Sequence, residues 1–324
     1  MLGDSAASDE PILEVTADVD APISAAHGED PTVSGTSLSI RDRVFAGEEL
    51  ADVLPEVPGV RLTSTGGPGQ FVGVRIRGGS YQQTTVLLGD LPISSPDSTF
   101  DLSLVPIWAV ERLEVYRGDA PVWLGNGSIG GVLRLVPRRA RGDEANVRVG
   151  AASFGTYQVM GGLSAASSRV STVAAIGLAG TRGDYPFAYD STPLVPGDEE
   201  TRRRQNGENV RGSVLLGGTV ELDAGTLETL LLLVGRRGGS IGSGLHPAIH
   251  THAVDRQLWS ATSFLRKGSL SRGRAYRVQA RVGLGVQHSE FFDPLGEIGF
   301  SPNATDDRVL STDARLAGAI DLAP

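Results

Sequence analysis

The sequence of 324 residues contains no cysteine, one lysine (Lys267) among 29 basic residues, and only 6% aromatic residues. The absence of cysteine excludes disulfides, zinc–thiolate sites and cysteine nucleophiles. A formal net charge of -9 argues against nucleic acid as a partner. No apolar run reaches the 18 residues of a transmembrane helix, and the first residues lack the pattern of a signal peptide. Glycine is abundant, at 43 residues, which suits tight turns and extended chain.

Residues 1–37 are predicted to form a flexible acidic tail, because they carry eight carboxylates and no lysine or arginine. Within it, the segment PILEVTA (Pro11–Ala17) has strand propensity but no neighbouring strand to pair with. Such a segment can add to the edge of another protein's sheet. An incidental apolar cluster is the alternative interpretation. The residues of the segment are Pro11, Ile12, Leu13, Glu14, Val15, Thr16 and Ala17.

Residues 38–140 have the mixed pattern of an α+β domain. A short helix is predicted from about Gly47, with Glu48 and Glu49 in its first turn and Pro55 and Pro58 ending it. Gly- and Pro-rich turns separate four predicted strands: Val72–Arg77, Thr84–Leu88, Val110–Arg117 and Val132–Val136.

Residues 141–324 alternate apolar with polar or small residues, and no helical period appears. The clearest case runs from Tyr276 to Val286, where every second residue is apolar. This pattern gives a strand one apolar and one water-compatible face. The other predicted strands are 145–152, 156–165, 169–181, 209–222, 226–236, 256–267 and 308–321.

The predicted connections alternate in length, which is typical of an outer-membrane barrel with tight periplasmic turns and long outer loops. A soluble β-sandwich is the alternative. Plugged barrels use about 22 strands, whereas this region suffices for about eight. We therefore expect a partial barrel of antiparallel transmembrane strands and a truncated chain, in preference to a small barrel with the α+β domain outside it. The long connections are 182–208, 237–255 and 290–307, and the short ones lie near 166–168, 223–225 and 268–273.

Two glycine motifs suggest enzymes but lack the required context. GNGSIG (125–130) matches a dinucleotide loop, yet the strand-like VLRLV follows it where a helix is needed. GGSIG (238–242) matches a nucleophile elbow without a following helix or placed partners. The first motif is therefore predicted to be a sharp turn, and no enzyme activity is expected.

Two groups of side chains in predicted outer loops suggest ligand binding. The imidazoles of His246, His250 and His252 suit a metal ion or a metal-bearing ligand, although solvated loop histidines are the commoner case. Four acids suit Ca²⁺, with a solvated acidic loop as the alternative. Apart from this possible Ca²⁺, no cofactor is predicted. The four acids are Asp190, Asp198, Glu199 and Glu200.

Five segments in order resemble the TonB-dependent receptors, the plugged outer-membrane transporters of Gram-negative bacteria. PILEVTA resembles the TonB box. ELADVLPEVPGVRL, VRIRGG, VLLGDLPI and VERLEVYRGDAPVWLGNGSIGGVLRLVPRR, which lie between Glu49 and Arg139, resemble the plug. The resemblance implies a tail at 1–37, a plug at 38–140 and the first part of a barrel at 141–324.

The sequence departs from the family pattern at several positions. Gly89–Asp90 reverses the usual order, Leu124 replaces a tyrosine, and Ser128 and Arg134 replace alanine and asparagine. These departures leave the local turn geometry open. The chain also ends without the aromatic residue that usually closes such barrels, which favours truncation.

The resemblance implies an outer-membrane receptor that takes up a scarce large solute, such as a ferric siderophore, cobalamin or a similar metal chelate. Its tail and plug would face the periplasm, its barrel the lipid bilayer, and TonB would pair with Pro11–Ala17 and pull the plug. A surface adhesin or assembly module that reuses the fold is the alternative. Five residues match plug positions that form ion pairs in the family, although surface salt bridges of little energy are the alternative: Arg75, Arg77, Glu111, Glu114 and Arg117.

Overall fold

The structure, a computed structural model, describes residues 34–41, 49–64, 71–94, 100–117, 130–190, 200–242, 246–269, 274–299 and 301–320. In these ranges, no helix has both the length and the apolar character that crossing a membrane requires.

The described residues up to 140 form seven strands and several short helical segments. Helix α1 (Leu50–Val53) is closed at its start by a capping box, in which the Glu49 backbone N–H donates to the Asp52 carboxylate at 2.8 Å. Single 3-10 turns occupy 54–56, 81–83, 102–104 and 107–109. The strands are β1 (Ser34–Ser39), β2 (Val60–Ser64), β3 (Val72–Ile76), β4 (Thr84–Leu88), β5 (Leu91–Pro92), β6 (Val110–Arg117) and β7 (Gly131–Pro137).

Five of these strands form a sheet in the order β1-β6-β7-β4-β5, which we call the mixed sheet. Strands β4 and β7 are parallel, and the other pairs are antiparallel. Strand β7 is central and reads as an almost unbroken apolar run, as expected for a strand covered on both faces. Strands β2 and β3 form a separate hairpin beside this sheet.

The four predicted strands of this region are confirmed to within one residue at either end. Two features differ from expectation. The mixed sheet begins at Ser34, inside the predicted tail, because SGTSLS pairs along β6 although it has few apolar residues. The helix is a single turn, since Pro55 continues it only as a 3-10 turn.

Eight strands after residue 140 form a second sheet, which we call the long sheet. All of its pairs are antiparallel, and its order is β17-β16-β15-β14-β13-β10-β9-β8. A small hairpin of β11 (Pro186–Tyr189) and β12 (Glu200–Arg203) lies between β10 and β13. The long-sheet strands are β8 (Glu144–Ala152), β9 (Thr156–Ala166), β10 (Val170–Thr181), β13 (Asn209–Leu222), β14 (Gly225–Gly239), β15 (His252–Ser269), β16 (Ala275–Asp293) and β17 (Asn303–Ile320).

The predicted alternation is confirmed across the long sheet. In β16, Val282, Leu284 and Val286 are exposed, whereas Arg281 and Gln287 on the opposite face are buried. The same outer face exposes 74% of Val147 and 77% of Leu316. An apolar exposed face opposite a polar covered face is the pattern of a barrel wall in lipid. The predicted α+β domain followed by about eight antiparallel barrel strands is therefore confirmed.

The connections of the long sheet also separate by length. One end of the sheet carries the connections at 167–169, 223–224 and 270–274. The opposite end carries 182–208, 240–251 and 294–302, together with the short turn at 153–155. Two predicted loops are shorter than expected because β14, β15, β16 and β17 run further, held by full cross-strand pairing through polar residues.

The mixed sheet packs against the inner, covered face of the long sheet, and one hydrophobic core joins them. Glycines of the long sheet make this approach possible. A Cβ on Gly162 would overlap the ring of Trp108, and a Cβ on Gly283 would overlap the side chain of Leu91. These glycines are therefore sockets for large side chains of the mixed sheet.

We expect Gly162→Ala to destabilise the seating of Trp108 by about 1–3 kcal/mol, because the added methyl group forces the ring to move. The measurement is the apparent unfolding temperature of the full-length protein in detergent. Gly217→Ala is the control, since its new Cβ would meet nothing closer than 4.0 Å. A Trp108→Ala background should remove most of the effect. Equal losses of stability in Gly162→Ala and Gly217→Ala would show that the close contact of Gly162 with Trp108 is not the cause.

Candidate functional site: the contact between the two sheets

Ion pairs connect the N-terminal region to the inner face of the long sheet. Glu49, at the start of α1, pairs with Arg211 of β13. Arg139, after β7, pairs with Glu228 of β14 at 2.7 Å. These pairs join residues 89 and 162 positions apart in sequence, so they fix how the two sheets sit against each other.

Asp101 forms the most buried of these contacts. Its Oδ1 accepts the backbone N–H groups of Val72 and Ser103, both at 3.0 Å, which fixes the carboxylate at the start of a 3-10 turn. Its Oδ2 accepts Nη1 of Arg236 at 2.5 Å, and Arg236 also binds Asp255 at 2.5 Å. Burial raises the pKa of Asp101 above its ordinary value, and Arg236 opposes this only in part.

Arg134 is the centre of a second buried network, inside the mixed sheet. Only 2% of it is exposed, and it donates to Glu114 at 2.8 Å, to Asp90 at 2.9 Å and to the carbonyl of Gly89 at 2.9 Å. Glu114 is also bound by Arg112 at 2.8 Å and by the hydroxyl of Tyr116 at 3.0 Å. Burial acts to raise the pKa of Glu114, but Arg134 outweighs it and holds that pKa below its ordinary value.

This architecture can be compared with known proteins. Residues 34–132 match the family profile described as "TonB-dependent Receptor Plug Domain". The vitamin B12 transporter BtuB of Photobacterium profundum is 34% identical over 116 residues, which are 35% of this chain and 19% of that protein. BtuB of Vibrio vulnificus is 38% identical over 85 residues, 26% of this chain and 14% of that protein. The matches thus cover less than a fifth of these relatives.

Residues 34–132 are a TonB-dependent receptor plug domain. The predicted resemblance to TonB-dependent receptors is thereby confirmed, and the mixed sheet belongs to the plug. The localisation expected for this family, the outer membrane of a Gram-negative bacterium with the plug facing the periplasm, is confirmed by the same relatives. The family is one of receptors and transporters.

Solved structures support the fold of plug and barrel together. The copper transporter OprC has a TM-score of 0.66 at 15% identity, covering 89% of this chain and 44% of that one. The siderophore receptor PiuA from Acinetobacter baumannii has a TM-score of 0.60 at 18% identity, covering 88% and 42%. At these identities the likeness shows the fold. The plug and the long sheet thus share the fold of the corresponding parts of these two structures.

The five residues expected to form plug ion pairs have different surroundings. Glu114 pairs with Arg134 and Arg112, as described above. Glu111 pairs with Arg41 at 3.2 Å and Arg141 at 2.6 Å. Their predicted role in the family mechanism stays a prediction.

The three arginines of that set contact backbone or hydroxyl oxygens. Arg117 donates to the carbonyl of Pro58 at 2.8 Å and to the hydroxyl of Thr36 at 2.5 Å. Arg75 donates to the carbonyl of Gly79 at 3.0 Å, and Arg77 has a positive φ of 49° with its N–H bound to Gly59. These arginines hold the β2–β3 hairpin and its turns in place.

The decisive charged residues Asp101, Arg134 and Arg236 were missed by the sequence reasoning. A usable signal existed for Asp101, because an aspartate directly before the apolar LSL segment suits an N-cap. For Arg134 the signal was its departure from the family pattern. The reversed Gly89–Asp90 departs as well, and the structure brings the two together as an ion pair. The carboxylate of Asp90 therefore compensates the charge that Arg134 brings into the plug.

The outer-loop histidines are not gathered around one point. His246 is exposed, and Nδ1 of His250 bonds to Glu297 at 2.9 Å. The ring of His252 lies 5.1 Å from that of Phe292. Among the described residues, no group of three or more His, Cys, Asp or Glu side chains is placed to hold a metal ion. A role of the histidines toward a larger ligand stays a prediction.

The segment that resembles the TonB box lies entirely outside the described residues. Its strand character and its pairing with TonB therefore stay predictions. The seven positions concerned are Pro11, Ile12, Leu13, Glu14, Val15, Thr16 and Ala17.

Two of the four proposed Ca²⁺ ligands, Asp198 and Glu199, also lie outside the described residues. Of the other two acids, Asp190 is exposed and Glu200 pairs with Arg202. The Ca²⁺ site stays a prediction.

Of the glycine motif at 125–130, only Gly130 is described. Its N–H donates to the carbonyl of Gln83 at 3.1 Å, and β7 begins at the next residue. A strand in place of a helix agrees with the rejection of a nucleotide loop.

We expect Arg134→Gln to destabilise the plug by about 3–5 kcal/mol, because it leaves the partly buried Asp90 without its cation and the buried Glu114 with Arg112 alone. Arg141→Gln is the matched control, since 67% of Arg141 is exposed and it binds Glu111 at the surface. Thermal unfolding of the full-length protein in detergent measures both, and similar small losses would contradict the central role of Arg134.

The wild type and Arg134→Gln should respond differently to acid. Because the pKa of Glu114 is lowered in the folded protein, its stabilisation is complete above the ordinary value of 4.5 and is lost as the pH falls through the lowered pKa. In Arg134→Gln only Arg112 and Tyr116 still oppose burial, so the pKa of Glu114 is higher and acid removes less stability from the variant than from the wild type. Unfolding temperatures from pH 7 to pH 3 test this, and parallel pH profiles would refute it.

For the ion pair between plug and barrel, we expect Arg236→Gln to cost more stability than Asp101→Asn. The first change leaves the buried carboxylate of Asp101 and the partly buried carboxylate of Asp255 without their cation. The second removes a charge whose burial is only partly compensated, and Arg236 keeps Asp255. Unfolding temperatures of both single variants and the double variant measure the coupling. A larger loss of stability in Asp101→Asn than in Arg236→Gln would refute this assignment.

Proposed function

We propose that this chain is part of a TonB-dependent transporter that takes up a scarce large solute by energised movement of the plug. The chain contributes the plug and eight strands of the barrel wall. TonB, the lipid bilayer and a metal-chelate ligand, such as cobalamin or a ferric siderophore, are its partners. No enzyme activity is assigned to it.

The observation that carries this proposal is the nature of the contact between plug and wall. It combines ion pairs, such as Asp101 with Arg236, with apolar side chains of the shared core, two of them seated over glycines of the wall. The ion pairs lie between groups that can each be hydrated when they separate, so a pulling force can break them one after another. Such a contact favours a plug that shifts within the barrel.

The ligand class rests on the relatives. Similarity in sequence falls on the plug and points to vitamin B12 transporters, while similarity in fold includes a siderophore receptor and a copper transporter. The names of all these proteins refer to metals or to metal chelates. The adhesin alternative has no observation of this kind in its favour.

Deleting Pro11–Ala17 from the full-length protein should abolish energised uptake and leave ligand binding at the cell surface unchanged, because TonB would lose the strand it pairs with. Uptake and binding of radiolabelled vitamin B12 and of a ferric siderophore, in cells without their own receptors, measure the two steps. Deleting the equally long Ala21–His27 is the matched control.

Substitution within the same segment sharpens the test. Val15→Pro removes a backbone N–H that strand addition needs, whereas Val15→Thr keeps it together with a β-branched side chain. Proline should therefore block uptake and threonine should not. Unchanged uptake in the deletion and in Val15→Pro would refute pairing of TonB with this segment, and a wild type that binds a ligand without taking it up would favour the adhesin alternative.

A further inference from the structure

A crevice of about 220 Å³ separates the plug from the inner face of the long sheet. It lies toward the end of the sheet that carries the short connections, since Ser171 and Thr219 on its wall are close in sequence to the turns at 167–169 and 223–224. Small residues such as Gly217 and Gly218 form much of that wall, which leaves room in front of it. The plug side is formed by the ends of β4, β6 and β7.

The lining of this crevice is rich in guanidinium groups. It contains five arginines and three carboxylates, and further carboxylates next to the lining pair with these arginines: Glu114, Glu144 and Asp313. The net charge is thus compensated, and what the crevice offers an anion is N–H donors that these carboxylates leave without a partner. The arginines of the lining are Arg112, Arg134, Arg138, Arg139 and Arg281, and the carboxylates of the lining are Asp90, Glu111 and Glu228.

Arg281 is the group that points most directly to an anion. Only 5% of it is exposed, and its Nε and Nη2 both donate to a single oxygen of Asp313, at 3.1 and 2.5 Å. Its buried Nη1 has no hydrogen-bond partner in the part of the chain that the structure describes. A buried charged donor without a partner is unfavourable, so this atom is poised for an acceptor.

The strand register is a second, independent observation that points to an anion beside Arg281. Arg281 of β16 lies directly opposite Arg315 of β17. Like charges directly opposite each other on neighbouring strands repel. An oxyanion between two such guanidinium groups would convert the repulsion into charge-assisted hydrogen bonds.

Arg138 repeats the chemistry of Arg281 elsewhere along the crevice. Its side chain is 8% exposed and stacks over the ring of Trp108 at 4.5 Å. Nη2 donates to Glu144 at 3.4 Å, whereas the buried Nε and Nη1 have no partner among the described residues.

We propose that this crevice binds a small free oxyanion, a phosphate or a carboxylate, with Arg281 as its principal donor. Size decides between a free ion and an oxyanion group on a large solute, because 220 Å³ is below the roughly 300–1,000 Å³ of pockets that hold larger ligands. The bound ion accepts the buried N–H groups of Arg281 that have no partner among the described residues. The proposal does not depend on which solute is transported.

The test is a phosphate titration of the full-length protein in detergent, followed by its unfolding temperature, with chloride at equal ionic strength as reference. We expect phosphate to stabilise the wild type with a saturating midpoint. Arg281→Gln should raise that midpoint about tenfold through loss of a charge-assisted donor. Arg281→Lys should retain part of the affinity.

Arg169→Gln is the matched control, because Arg169 is 73% exposed at the same end of the barrel and should leave the midpoint unchanged. General stabilisation by phosphate acts on all variants alike, so the difference between variants is the readout. Each variant is referred to its own chloride value, which keeps a less stable Arg281→Gln informative.

Two outcomes would overturn the proposal and show that water alone fills the crevice. One is an equal phosphate midpoint in Arg281→Gln and Arg169→Gln, and the other is the absence of a saturable effect of phosphate on the wild type. Inositol hexakisphosphate tests the size argument. It should give no Arg281-dependent stabilisation, and if it does, the assignment to a small free ion is wrong.

Discussion

The structure depends on one constraint: the long sheet has lipid on one face and the plug on the other. Its outer face must be apolar, so its inner face receives the polar, charged and small residues. The plug therefore meets a wall in which arginines and glycines stand among the apolar side chains of the shared core, and it is held by carboxylates such as Asp101 and by large side chains such as Trp108. A carboxylate of the plug thus lies opposite an arginine of the wall, and a large side chain of the plug lies opposite a glycine.

Within the plug, a different constraint applies. Strand β7 is central in the mixed sheet, and its apolar run is interrupted by Arg134. A buried guanidinium is tolerated only where carboxylates surround it, and Glu114 and Asp90 supply these from the two neighbouring strands or their turns. The network joins β6, β7 and the β4–β5 turn more specifically than apolar packing would.

The two networks face the same boundary, since Asp90 and Arg134 also line the crevice beside Arg281. Charge on the inner wall thus serves two purposes in these proposals. Ion pairs hold the plug in place, and the buried N–H groups of Arg281 that have no partner among the described residues attract an anion. Both depend on a lumen in which polar groups are covered but not sealed into a dry core.

The sequence by itself determined the elements and the order of the two regions. A period of two residues in β16, or an apolar run between glycine-rich turns in β4, is a local property that survives in any tertiary arrangement. The family resemblance rested on plug segments whose glycines and charged residues stand at fixed short spacings. For the same reason, strands with weak local signals, such as SGTSLS in β1, were missed. Only the tertiary structure decided which charges meet. Asp101 and Arg236 are 135 positions apart, and Arg134 and Asp90 are 44 apart. An arginine in a sequence is compatible with every carboxylate of the chain. Its partner is selected when strand register and the stacking of the two sheets bring particular positions within hydrogen-bond distance, and neither of these is a local property of the chain.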